Sequence, residues 1–111
     1  MPTLTETKEK RLVGVVETLK RDYHPERIIL YGSLAQGTVH RWSDIDLVVV
    51  KKTTRRFLDR LEEASRLVND RGGVDVLVYT PAEVRRMLAD RPSFFREEIL
   101  KKGRVLYERR A

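Results

Sequence analysis

Apolar positions along the chain change their period several times, and each change marks an element. Leu12, Val16, Leu19 and Tyr23 recur at helical spacing, which predicts an amphipathic helix over 5–23. Gly14 is a small local cost within it, and His24-Pro25 breaks it. Arg27–Tyr31 (RIILY) is a short β-branched run and predicts a strand. Gly32 ends that strand, and Ser33–Gln36 has room for a short helix before Gly37. Ile45–Val50 (IDLVVV) is apolar on both faces, the pattern of a central strand covered on both sides.

Over 55–71 the positions Phe57, Leu58, Leu61, Ala64 and Val68 fall on one helical face, and Gly72-Gly73 stops the helix. Val74–Tyr79 (VDVLVY) predicts a third strand. Thr80-Pro81-Ala82-Glu83 then carries a strong helix start: a Thr cap, a first-turn Pro and a Glu that closes a capping box. Val84, Met87 and Leu88 give that helix a short buried stripe. A further short helix is expected over Ser93–Lys101, with Ser93 as cap and Phe95 and Ile99 inward. Gly103 ends it before a last short strand in RVLY. Strands alternating with helices predict an α/β (α+β) fold in which helices pack on a sheet.

Composition narrows the setting. The 111 residues fit one compact domain, 1–111, with no repeat, linker or low-complexity stretch. Without cysteine there is neither a disulfide framework nor a Cys-based zinc site, in keeping with a reducing, cytoplasmic location. No apolar run of about 18 residues exists to span a membrane, and MPTLTETKEK lacks a signal-peptide core. The net charge of +6 is uneven: residues 1–26 balance five basic against five acidic side chains, whereas 83–111 carry nine against five. That imbalance suits either an anionic partner or a solvated, solubilising surface.

The candidate chemistry sits at strand ends. Asp44 and Asp46 open the central strand on one face, roughly 6–7 Å apart. Two carboxylates placed there repel one another and lose solvation, and divalent cations offset that directly. Asp75 holds the corresponding position in the VDVLVY strand and joins them if the two strands are neighbours. It would then bind the metal at an acceptor hydroxyl or take that hydroxyl's proton. Gly32-Ser33 permits close backbone approach, and a helix starting there points N–H groups at an anion. Taken singly, each feature has a plainer reading: a turn, a cap, a solvated edge residue. Trp42, on the loop before the aspartates, suits packing better than base stacking.

Gly32-Ser33, ten residues, then Asp44-Ile45-Asp46 resembles the signature of the DNA polymerase β-like nucleotidyltransferase superfamily. "YGSLAQG", "SDIDLVVV", "VDVLV" and "FFREEILKKGRVLYE" resemble its minimal nucleotidyltransferase branch, the MntA-type antitoxins, over Ile28 to Tyr107. The resemblance implies a mixed sheet with flanking helices. It implies that Gly32 and Ser33 hold the nucleotide's terminal phosphates, and that Asp44, Asp46 and Asp75 bind two Mg²⁺ ions. It implies transfer of a nucleoside monophosphate, AMP from ATP or its equivalent from another NTP, to an acceptor hydroxyl. A HEPN-domain toxin partner, modified on a tyrosine within a hetero-oligomer, belongs to the same implication, with a homo-oligomer as the other arrangement. Gln36 departs from the pattern, since many relatives carry arginine there. The competing readings are a non-catalytic antitoxin or assembly subunit built on this fold, and a basic nucleic-acid-binding module. The last lacks interleaved aromatics.

Overall fold

The structure is a computed structural model, and it describes residues 1–40, 44–69 and 72–110. Among the described residues, five helical segments and four strands follow one another along the chain. Helix α1 (Leu4–Asp22) starts at Thr3, whose hydroxyl accepts from the Glu6 N–H, and ends at Tyr23. His24 then takes a left-handed φ of 54°, which turns the chain into β1 (Arg27–Tyr31). The short helix α2 (Gly32–Gln36) follows at once and stops at Gly37. Strand β2 (Ile45–Val50), helix α3 (Phe57–Val68), strand β3 (Val74–Tyr79) and helix α4 (Pro81–Ala89) come next. A π-helical segment, Phe95–Lys101, leads into β4 (Arg104–Glu108).

The sheet order is β3-β2-β1-β4. β1 runs antiparallel to both β2 and β4, whereas β2 and β3 are parallel and joined through α3. The sheet is therefore mixed, as the resemblance implies. Ile45, Leu47 and Val49 point into a core closed by α1 and α3. Val48 and Val50 point the other way, into a smaller core under α4 and the π-helix. This explains why β2 is apolar on both faces: each fully buried aliphatic side chain there contributes roughly 1.5–3 kcal/mol.

Differences from the sequence reading are local. Helix α3 is shorter than 55–71, and its inward face is Arg60, Ala64 and Val68. Leu58, expected inside, is 74% exposed, while Arg60 is 7% exposed. The Arg60 guanidinium donates to the carbonyls of Arg55 and Val78 and to Glu83 Oε1 at 2.7 Å, so its burial is fully partnered. On α1 it is Val15 rather than Val16 that is fully buried. The last helix has π geometry, and its cap is Phe94; Ser93 still accepts from the Arg96 N–H and is buried. Phe95 is core and Phe94 is exposed. Lys51, just past β2, donates to the Tyr23 carbonyl and lies 3.9 Å from the centre of the Tyr23 ring.

Candidate active site

Strand register brings the site together. Tyr31 is paired with Asp46 across β1 and β2, and Asp46 with Asp75 across β2 and β3. The three side chains form one row on the face that carries α4, at the end where β1 finishes and β2 and β3 begin. Asp44 lies just outside β2 and is exposed, as is Asp75, while Asp46 is half-buried. Parallel pairing of β2 and β3 is what aligns the aspartates, because both strands then present their second residue at one level.

The chain turns immediately beside this row. Gly32 has φ of +77°, and a β-carbon there would lie 2.4 Å from Asp46 Oδ2. Glycine is needed on both counts: the left-handed backbone and the close approach of the carboxylate. Ser33 is the next residue, at the first turn of α2, half-buried. On the other side, Gly73 (φ +78°) accepts the Ile45 N–H at 2.8 Å and so ties the start of β3 to the start of β2.

Electrostatics follow from the crowding. Burial, then the Asp75 and Asp44 charges and a hydrogen bond with Asp75, push the Asp46 carboxyl up to about 6. Burial, then the Asp46 and Asp75 carboxylates, push the Tyr31 phenol up to about 12, so it stays protonated. The protein alone thus holds a carboxylate whose charge is poorly compensated.

Among the described residues, no three His, Cys, Asp or Glu side chains converge on a single metal-sized point. The aspartates share one end of the sheet without forming a closed cage. Their chemistry nonetheless fits a hard divalent cation. Mg²⁺ commonly takes one or two carboxylates and completes its shell with water and substrate phosphates. The raised Asp46 pKa reflects burial first and then two like charges, both of which a bound cation would offset.

Sequence reading did not single out Tyr31, although YGS placed it next to the glycine. Trp42 and Arg41 lie outside the described residues. Lys52 and Arg85 line a cavity of about 820 Å³ at the opposite end of the sheet. No helix among the described residues is long and apolar enough to cross a membrane.

Comparison with known proteins bears on this geometry. Residues 14–111 match the family described as Polymerase beta, Nucleotidyltransferase. Among solved structures, a candidate nucleotidyltransferase from Sulfolobus solfataricus is 26% identical, with a TM-score of 0.64, covering 90% of this chain and 79% of its own. A toxin–antitoxin structure with AMP-PNP is 21% identical, with a TM-score of 0.54 and coverages of 92% and 74%. A variant of the MntA–HpeT toxin–antitoxin, with two Asp-to-Glu exchanges two positions apart, is 20% identical, with a TM-score of 0.56 and coverages of 88% and 73%. The last two show likeness of fold. A search of curated proteins returns no match.

Proposed function

The chain belongs to the polymerase beta nucleotidyltransferase family, and from that membership we propose that it transfers a nucleoside monophosphate, AMP from ATP, to an acceptor hydroxyl. The observation that carries this reading is Asp46 in register between Tyr31 and Asp75, with Gly32 leaving its carboxylate open to the start of α2.

Asp44, Asp46 and Asp75 would hold Mg²⁺ together with the phosphates. Bound there, Mg²⁺ neutralises charge on the phosphates and lowers the pKa of the attacking hydroxyl. Gly32 and Ser33 bind and orient the triphosphate through backbone N–H groups and the Ser33 hydroxyl. The acceptor oxygen attacks the α-phosphorus, and its proton passes to the Asp75 carboxylate. The bond from the α-phosphorus to the oxygen bridging it to the β-phosphate breaks. That oxygen and its electron pair leave with pyrophosphate. The Tyr31 phenol, kept protonated by its neighbours, does not compete as a base. Positioning and charge neutralisation supply the rate, as in other phosphoryl transfers.

The acceptor we propose is a tyrosine hydroxyl on a HEPN-type toxin, so that this chain acts as its antitoxin. Similar folds solved as toxin–antitoxin complexes, one with AMP-PNP, support that choice. The test is incubation of both purified proteins with ATP and Mg²⁺, followed by intact-mass analysis. An AMP-sized increase on the toxin is expected, and Asp44→Asn with Asp46→Asn should abolish it. Transfer to RNA or a small molecule instead would overturn the acceptor, and no pyrophosphate release with any acceptor would overturn the transferase reading.

A further inference from the structure

Helix α1 packs on the face of the sheet opposite the carboxylate row, yet one of its side chains reaches round the end of the strands. Arg11 Nη2 donates to the Gly72 carbonyl at 2.6 Å. The vacant side of Gly73 has two neighbours: Arg11 Nη1 at 3.3 Å and Asp44 Oδ1 at 3.7 Å from where a β-carbon would stand. The guanidinium and the Asp44 carboxylate are therefore no more than about 7 Å apart, within reach of one anionic group lying between them.

The charge balance of that end makes the placement matter. Three aspartates stand there, and α2 contributes Gly, Ser, Leu, Ala and Gln, none of them cationic. A triphosphate approaching Asp44 adds further negative charge. Arg11 brings a permanently charged, forked donor to that point, suited to phosphate oxygens. Arg11 also lines a groove between α1 and α3, together with Gly14, Leu67 and Val68.

We propose that Arg11 forms a phosphate subsite of the active centre and contacts the outer phosphates of the bound nucleoside triphosphate, the part that leaves as pyrophosphate. The inference rests on the nucleotidyltransferase reading. It assigns α1, which that reading leaves as scaffold, a part in substrate selection: the subsite favours ATP over AMP because only ATP carries the outer phosphates.

The two roles open to Arg11, phosphate contact and tether of the Gly72-Gly73 turn, separate in a binding experiment. ATP and AMP are titrated calorimetrically, with Mg²⁺, into the wild type, Arg11→Met and Arg11→Lys. Loss of a charge-assisted contact should weaken ATP by about 10- to 100-fold in Arg11→Met, with AMP changed less than about twofold and Arg11→Lys between the two. If Arg11→Met fails to fold by circular dichroism, the Arg11→Lys ratio of ATP to AMP affinity is read in its place and should still fall. Equal weakening of ATP and AMP, or ATP affinity unchanged, would overturn the subsite while leaving the transferase reading standing. A wild type that binds neither nucleotide would overturn both.

Discussion

Gly32 stands so close to Asp46 that a β-carbon at position 32 would lie 2.4 Å from the Asp46 carboxylate oxygen. The glycine makes room for the carboxylate rather than merely ending a strand. Gly32→Ala must push Asp46 aside and also strain a φ of +77°. The expected result is a folded protein destabilised by about 1–2 kcal/mol, with nucleotidyl transfer reduced at least 100-fold. Urea denaturation together with a pyrophosphate-release assay checks both; full activity in a stable variant would mean that Asp46 is not held by this contact.

Asp46 gives a pH signature. Its folded pKa of about 6 lies above its unfolded value near 3.8, so the folded state holds the proton more tightly. Its destabilising effect is absent below about pH 4, grows as pH rises through the folded pKa, and is complete above it. Asp46→Asn should therefore match the wild type near pH 4 and exceed it by about 1–2 kcal/mol at pH 7, after allowance for solvent screening. Denaturation without divalent ions at stepped pH measures the difference. A gap that narrows as pH rises would contradict this account.

Mg²⁺ with ATP should reverse that order at pH 7. Ligands that bind only the folded state raise its stability, and the wild type holds the carboxylates they need. Thermal melts should show a rise in Tm for the wild type and none for the doubly substituted Asp44→Asn, Asp46→Asn protein. An equal rise in both would place the binding elsewhere.

Ser33→Ala tests the phosphate cradle apart from the carboxylates. The hydroxyl offers one hydrogen bond to a charged group, so ATP binding should weaken by roughly 1–2 kcal/mol with stability unchanged within error. Unaltered ATP affinity would remove Ser33 from the site.

Arg60 ties α3 to α4 around the end of β3. Burial raises the Glu83 carboxyl, but the Thr80 backbone N–H and the Arg60 guanidinium outweigh it and hold the pKa below the usual range. Arg60→Met leaves Glu83 its capping bonds but removes its buried cation, and should cost about 2–4 kcal/mol. With the folded pKa depressed, the Glu83 contribution is present above the unfolded pKa and fades as pH falls through the folded one. The destabilisation measured by urea should therefore shrink in acid, and a pH-independent cost would assign it to packing alone.

Strand positions were legible because their signal is local. β1, β2 and β3 begin and end where RIILY, IDLVVV and VDVLVY do, and the Thr80–Glu83 capping box is present as read. Alignment of Asp46 with Asp75 needed one thing the pattern does not carry, the parallel adjacency of β2 and β3. Apolarity as the rule for burial puts Leu58 inside and Arg60 outside, the reverse of what the structure shows. A guanidinium with three oxygen partners overrides it, and the spacing Arg60-Ala64-Val68 was the available clue. Arg11 was invisible for a different reason: its placement at Asp44 depends on how α1 crosses the strand ends, which a helical period does not encode.

The parallel pairing also has a kinetic meaning. A chain still emerging from the ribosome can form the antiparallel contact between β1 and β2 early, and with it Tyr31 beside Asp46. Asp75 joins only after α3 has carried the chain across the sheet, a non-local step that pays its loop-closure entropy before any reward. Nascent or half-folded molecules therefore hold an incomplete row, and Asp46 and Asp75 stand side by side only in molecules that have finished folding.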